Sequence, residues 1–497
     1  MSRKFSIPPE VSRITRKLEE AGFEAYLIGG CVRDLLLERK PKDWDVTTNA
    51  TPEEIIQNFD KTFYENDYGT VGVVNEEAED ETLKVVEMTP YRLEATYSDN
   101  RHPDSVTFSQ NLEDDLKRRD FTINAIALKI VATAKENYDG EVVDLYQGQK
   151  DIEKKIVRTV GDPNERFKED GLRILRAIRL SAELGFKIAP ETEEAIKNDA
   201  GLLKNIARER IREEFVRILM SAKPADALKT AKNLGVLKFI IPELEKASGI
   251  EQNQAHAYDV FEHLLKSLQA AADKGWSLEI RLAALLHDIA KPQSRRWSNE
   301  KKDWTFHGHD VVGARVAAKI LNDLRFPNKL IEEVTKLIRW HMFFSDPDQI
   351  TLSAVRRLLK NVGKENVWNL MNLRICDRIG TGRPKEDPYR LRKYKSMIEE
   401  VMHDPVSVGM LKIDGSKIME VANLPSGPKI GYILHALLEE VLEDPSLNTK
   451  EHLYERAVDL SKLTEEQLKK IGEKGKERKE RLQEEEVKEI RKKYWVQ

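Results

Sequence analysis

The residues with the clearest chemical potential lie in segment 26–50, YLIGGCVRDLLLERKPKDWDVTTNA. Asp43 and Asp45 stand two apart at the opening of an apolar, β-prone run. Side chains alternate faces along a strand, so the two carboxylates project on one side, where they can share divalent ions. Carboxylate oxygens are the hard ligands Mg²⁺ prefers, and substrate phosphates usually complete its shell; the pair points to a site that handles a nucleoside triphosphate. Gly29 and Gly30 fit the same chemistry, because a turn without side chains lets backbone N–H groups approach phosphate oxygens ahead of a helix N-terminus. Glu87, in VVEMTPYR, is a third candidate carboxylate, on a strand that can pair with the Asp43–Asp45 segment.

Two later segments could hold the rest of a nucleotide. In DLKRRDFTINAIA, residues 115–127, Arg118 and Arg119 are forked donors suited to triphosphate oxygens, and Asn124 is suited to a ribose hydroxyl. In GDPNERFKEDGLRILRAIRLSAELGFKI, residues 161–188, one helix is expected to carry Asp170, Arg173, Arg176 and Arg179 at three-residue steps, with Leu172, Ile174, Leu175 and Ile178 toward the body. An acid and an arginine so spaced can be a simple ion pair worth only ~0.3–0.5 kcal/mol. They can also read a base. Cytosine and adenine both present an amino donor beside a ring-nitrogen acceptor, which an Asp acceptor next to an Arg donor matches. Uracil and guanine present the reverse and would leave buried groups unpaired.

A second cluster lies downstream: His263, the adjacent His287 and Asp288, His309, His341 and Asp377. A lone histidine on an apolar helix is more often a satisfied core residue than a ligand. Imidazoles and carboxylates converging from several helices can instead bind one or two transition metals, whose bound water attacks phosphoesters.

The elements that must position these groups divide the chain in two. Residues 1–145 mix helix and strand signals: a helix over 9–21, strands over 24–28, 69–74, 82–91 and 105–108, and a helix start at TPEEII with Thr51 as cap, Pro52 first and Glu54 closing a capping box. Beyond Gly148 helical periodicity dominates. With 497 residues the chain is too long for one core, and the expected division is 1–145, 146–250, 251–385 and 386–497. A composition of 40% hydrophobic and 34% charged residues describes a folded, soluble protein, and the net charge of −4 means that any nucleic acid must be held by local basic faces. Two cysteines, Cys31 and Cys376, exclude a disulfide framework; with no apolar run of membrane-spanning length and no leader pattern, a cytoplasmic, membrane-free setting is expected. The charged segment 463–497 has mixed signs and reads as a solvated helix or frayed tail rather than a nucleic-acid arm.

GGCVRDLLL with DWD, RRDFTINAIA and EDGLRILRAIRLSAELGF resemble, in order and spacing, the motifs of the class II tRNA nucleotidyltransferase and bacterial poly(A) polymerase family, which includes the CCA-adding enzymes. The resemblance implies an α+β, polymerase-β-like head whose Asp43 and Asp45 hold Mg²⁺, followed by an all-α body. It implies that Glu169, Asp170 and Arg173 read the incoming base in place of a template. Arg33, Asp120 and Arg176 lie within the same motifs and, with Arg166 just ahead of the last, complete the candidate nucleotide-binding set. It further implies template-independent addition of CCA to tRNA 3′ ends from CTP and ATP, with the acceptor stem along the body near Arg208, Arg210, Arg212 and Arg217. Segment 94–106 resembles the family's flexible loop, which enzymes adding only CC tend to lack. Poly(A) synthesis and A-only addition are the nearest alternatives.

The histidine series resembles the HD phosphohydrolase superfamily, a domain that some of these enzymes carry and that is linked there to phosphatase and 2′,3′-cyclic phosphodiesterase activities. Carried over, His263, His287, Asp288 and Asp377 are ligands of a first divalent transition metal, and His309 and His341 of a second. Ala255 stands where that superfamily would place another histidine. An HD phosphohydrolase with an RNA-binding head is the alternative of a different class.

Overall fold

The computed structural model describes all residues except 1–2, 66–68, 95–105, 135–136, 254–256, 344–350, 384, 403–408, 410, 472–486 and 497. The chain forms two compact units, Met1–His341 with Asn372–Pro384 and Met342–Met371 with Lys385–Gln497. Both candidate sites fall in the first. The flexible-loop segment and Ala255 lie outside the described residues, apart from Glu94 and Val106 at the loop's ends.

The strands of the head are, in chain order, β1 (Arg3–Phe5), β2 (Ala25–Ile28), β3 (Asp45–Thr48), β4 (Thr62–Tyr64), β5 (Val71–Val74), β6 (Val85–Pro90), β7 (Arg92–Glu94), β8 (Val106–Phe108), β9 (Ala127–Ala134) and β10 (Asn137–Val143). β7 and β8 pair with each other; the rest form one mixed sheet in the order β1-β10-β9-β2-β3-β6-β5-β4. β3 lies inside it, antiparallel to β2 and parallel to β6, in a register that sets Asp45 beside Glu87. Leu27, Val46, Val86 and Met88 are wholly buried, so the register cannot slip by one residue without driving that apolar set to the other face. The helix Pro52–Asn58 that follows β3 starts on the expected capping box, with Thr51 accepting from the Glu54 N–H and the Glu54 carboxylate accepting from the Thr51 N–H at 2.8 Å.

The expected α+β head on a helical body is what forms, with local departures. β1, β4 and the long hairpin β9–β10 were not expected; β9 and β10 add an antiparallel flank beyond β2. In the body, β11 (Ile156–Val157) pairs in parallel with β12 (Lys187–Ile188), and β13 (Arg296–Ser298) forms a hairpin with β14 (Asp303–Thr305). The second unit is built on its own core, including Ile418, Ile433, Leu437 and Ala457. Among the described residues no helix is long and apolar enough to cross a membrane.

Candidate nucleotidyl-transfer and metal sites

Trp44 is the local reason that Asp43 and Asp45 face the same way. Its indole is buried at 3% exposure, and the acids on either side are thereby turned to the opposite face. Asp43 sits in the bend before β3 and is exposed, whereas Asp45 opens the strand and is half-buried. Both carboxylates approach the Gly-Gly turn: a Cβ at Gly29 would lie 3.4 Å from Asp45 Oδ2 and 3.2 Å from an Arg119 guanidinium nitrogen, and one at Gly30 would lie 3.7 Å from Asp43 Oδ1. Gly29 also has φ +79°, a conformation that side-chain-bearing residues avoid. Burial and the neighbouring charges of Asp43 and Glu87 push the Asp45 carboxyl up to about 7, with Arg119 offsetting part of the effect. Burial, Glu65 and Asp43 likewise raise Glu87. Three carboxylates that repel one another in this way form a donor set a divalent cation would neutralise. Behind them Cys31 is buried, its thiol pushed up to about 12 chiefly by burial and unsuited to act as a nucleophile.

The arginines of the head are held on internal anchors that sequence reading missed. Asp115, wholly buried, accepts from both Arg118 and Arg119; burial works against its charge, yet the two guanidinium groups hold its carboxyl below the usual range. Their spacing, three and four residues from Asp115, was the available signal. Arg33 donates to Asp34 at 2.8 Å and to Asn124 Oδ1 at 2.8 Å, and the Asn124 amide donates in turn to Asp120 at 3.2 Å. Asn124 is thus a buried bridge between Arg33 and Asp120, and Asp120 is also ion-paired with Arg176 at 2.8 Å.

The single helix expected through Asp170 is interrupted. One helix, Pro163–Glu169, ends before Asp170, which has extended backbone, and the next, Arg173–Leu184, begins three residues on. The Asp170 carboxylate accepts from the Leu172 N–H at 3.0 Å, a local bond that competes with helix continuation. Asp170 is therefore not on a common helical face with Arg173; its carboxylate pairs with Arg210 at 2.8 Å. Arg173 is buried, ion-paired with Glu169, and donates to the carbonyls of Arg166 and Arg118 at 3.2 Å each. Arg166 adds a 2.9 Å bond to Glu169. Glu169, Asp170 and Arg173 are still gathered at one interhelical corner, carried by the turn rather than by one face.

Of the body arginines, Arg208 donates to the Phe239 carbonyl at 3.0 Å, Arg210 to Asp170 and Arg212 to the Arg325 carbonyl. Arg217 lines a cleft of about 540 Å³ together with Arg39, Lys42 and Asp43. Among the described residues, the side chains of Arg39, Lys42 and Arg217 form no ion pair, so the cleft beside Asp43 is electropositive.

The histidine series converges completely. His263 comes from helix Val260–Asp273, His287 and Asp288 follow helix Leu278–Leu286, His309 opens helix His309–Asp323, His341 ends helix Asn328–Trp340, and Asp377 lies on helix Val367–Gly380. Asp288 is the pivot. Its Oδ2 lies 3.2 and 3.4 Å from Nε2 of His263 and His287, and its Oδ1 lies 3.2 and 3.6 Å from Nε2 of His309 and His341. The imidazoles of each pair approach to 3.0 and 3.3 Å. Ligand atoms around one ion at ~2.1 Å sit ~3.0–3.4 Å apart, so both groups have the spacing of a metal shell. Nδ1 of His287, His309 and His341 lies 2.9, 2.6 and 2.6 Å from a backbone carbonyl; donation there leaves Nε2 free to coordinate.

Charge is balanced differently here. Burial opposes ionisation of Asp288 and Asp377, but Lys291 and His287 for the first, and His287 and Arg374 for the second, hold both well below the usual carboxylate range. Burial would lower His287, yet those two carboxylates bring it up to about 10, so a proton stands where a cation fits. Burial keeps His341 low and neutral. Lys291, buried and 2.6 Å from Asp288 Oδ2, is a residue that sequence reading missed; its signal was a lysine one helical turn beyond the His-Asp pair.

Two outcomes follow from these geometries. In metal-free protein the folded state binds the Asp45 proton more tightly than the unfolded chain does, so ionisation between the ordinary carboxylate range and pH about 7 lowers stability. Thermal unfolding in EDTA is therefore expected to lose midpoint from pH about 5 to about 8 more steeply for wild type than for Asp45→Asn; equal slopes would contradict the repulsive cluster. A Cβ at Gly380 would meet Ser267 Oγ, and would lie 2.8 Å from the His263 carbonyl and 2.9 Å from His263 Nδ1. Gly380→Ala should displace His263 and lower metal content at the histidine site, read by elemental analysis, while the head remains intact.

Residues 25–158 match the Poly A polymerase head domain, 185–248 the probable RNA and SrmB-binding site of polymerase A, and 260–378 the HD domain. The chain is 32% identical over 442 residues to the CCA-adding enzyme of Lactobacillus delbrueckii subsp. bulgaricus, an alignment covering 88% of this chain and 94% of that one. It is 30% identical over 460 residues to the CCA-adding enzyme of Geobacillus thermodenitrificans, covering 91% and 97%. The crystal structure of the Bacillus stearothermophilus CCA-adding enzyme in complex with CTP superposes with a TM-score of 0.60 at 28% identity, over 91% of this chain and 98% of that one. With its head motifs and histidine centre in place, the chain belongs to the tRNA nucleotidyltransferase and poly(A) polymerase family, among its CCA-adding enzymes, and it carries an HD domain.

Proposed function

We propose that the protein adds CCA to tRNA 3′ ends, without a nucleic-acid template, from CTP and ATP. The observation that carries the reading is the parallel β3–β6 register, which sets Asp45 beside Glu87 with Asp43 at the same glycine turn. The relatives' shared name supports the CCA reading over poly(A) synthesis. Asp43 and Asp45 would hold Mg²⁺, with Glu87 alongside; bound there, the ions supply the charge that acidifies the attacking 3′-hydroxyl and offsets the departing pyrophosphate. The residues of the chain do the rest. The Gly29–Gly30 turn leaves room for phosphate oxygens, Arg118 and Arg119 stay on Asp115 and are aimed rather than mobile, and Arg33, Asn124, Asp120 and Arg176 form one network behind them. Asp170 and Arg173 would meet the base edge, with Glu169 and Arg166 fixing the arginine. The RNA end would approach Asp43 through the cleft of Arg39, Lys42 and Arg217, whose unpaired cations suit backbone phosphates.

The HD centre is read as an accessory phosphohydrolase. His263, His287, Asp288 and Asp377 would hold one divalent transition metal and His309 and His341 a second, with Asp288 between them; the ions would supply an activated water. The domain division 1–145, 146–250, 251–385 and 386–497 follows these roles, and the chemistry suits a cytoplasmic enzyme.

The decisive assay offers tRNA transcripts ending before CCA, after C and after CC, each with CTP alone, ATP alone or both. Full repair is expected to need both nucleotides and to stop at the completed CCA. Addition confined to the CC-ending transcript would identify an A-adding enzyme, and an unlimited A tract on unrelated RNA would contradict the tRNA reading.

A further inference from the structure

Between the metal-site residues Asp288 and His309 the chain makes an excursion that neither site uses. β13 and β14 form a short hairpin in which Trp297 and Trp304 stand directly opposite, their rings 5.1 Å apart and edge-on at 78°. Trp304 is half-buried, with the Arg295 guanidinium 3.6 Å over its ring and Arg295 itself held by Glu251 at 3.2 Å. Trp297 is 52% exposed. An edge-on pair covers at most one face of either ring, and at this exposure the Trp297 indole keeps surface open to solvent. Arg296 flanks it on the strand, and Lys301 and Lys302 lie on the exposed turn, Lys302 with φ +48°.

Cross-strand packing accounts for Trp304 but not for this exposure. A large indole placed in water among cations is the combination that single-stranded nucleic acid uses: a base stacks on the ring while its flanking phosphates meet the charges. Opposed to these cations on the hairpin are Glu300 and Asp303, which leaves positive charge in excess. The hairpin is also tied to the HD centre. Lys291 Nζ lies 2.6 Å from Asp288 and 5.4 Å from the centre of the Phe306 ring, and Phe306 follows Trp304 by two residues. Trp304 precedes His309 by five residues, so no more than ~18 Å of chain separates them.

We propose that the β13–β14 hairpin is a base-stacking platform for single-stranded RNA, on which Trp297 takes a base so that a phosphate ester of the same strand reaches the HD centre. The centre would then act on RNA ends in preference to small phosphoesters. That substrate preference rests on the HD centre being a phosphohydrolase; the binding surface itself does not.

The test uses the full-length protein and a six-nucleotide oligocytidylate with a 3′-phosphate. In EDTA, tryptophan fluorescence of wild type should be quenched by this RNA and not by heparin. The quenching should vanish in Trp297→Phe, which keeps the cross-strand ring pair, and should need about tenfold more RNA in the double variant Lys301→Glu, Lys302→Glu. Quenching retained in Trp297→Phe, or matched by heparin, would overturn the proposal. In metal-loaded protein, Trp297→Ala should lower kcat/KM about tenfold on the oligonucleotide and leave glycerol phosphate hydrolysis unchanged. Equal loss on both, or on neither, would overturn the substrate preference. A wild type that hydrolyses neither ester would contradict the HD reading instead, and the fluorescence result would still decide the platform.

Discussion

Mutual repulsion among Asp43, Asp45 and Glu87 is the interaction on which the head depends. Burial and like charge push Asp45 up to about 7, so the metal-free head carries a cluster that Arg119 offsets only in part. The fold tolerates this because the acids sit on a rigid interior strand pair whose buried face, Val46, Met88 and Leu27, is closed. Trp44 turns the two aspartates outward, and the glycine turn brings backbone against them in place of side chains. A divalent cation bound there would offset the repulsion and stabilise the fold.

The HD centre solves the opposite problem. Its acids are buried and held below the usual range by Lys291, Arg374 and a protonated His287, so the metal-free site is already neutralised from within. Near neutral pH a metal entering either site displaces a proton, from Asp45 in the head and from His287 here. The two sites give up their protons in different ranges, Asp45 at about 7 and His287 at about 10, so metal uptake by each should have its own pH dependence.

Much of this was legible in the sequence because it is local. Asp43-x-Asp45, the Thr51–Glu54 capping box and the His287–Asp288 pair are each set by neighbours a few residues away, and the structure places them as their spacing implies. The Glu87 strand, expected to be able to pair with β3, does so in parallel. What escaped was carried by partners distant in sequence or by a competing local bond. Asp170 looked helical by period, yet its carboxylate caps the following turn and its charge finds Arg210, forty residues on. Arg208 and Arg212, expected along the acceptor stem, each also donate to a backbone carbonyl distant in sequence, at Phe239 and Arg325, which no local pattern signals. The β9–β10 hairpin hid because its flank position is fixed by pairing with β2, which no local period records.

The central claim is that the outward-facing acids of β3 carry out nucleotidyl transfer on an RNA 3′ end. Single-turnover incorporation of CMP into a tRNA transcript lacking CCA, with saturating CTP and Mg²⁺, compares wild type with the double variant Asp43→Asn, Asp45→Asn. The variant's rate should be lower by about 10³-fold or more, with CTP binding retained. A rate within a few-fold of wild type would contradict it.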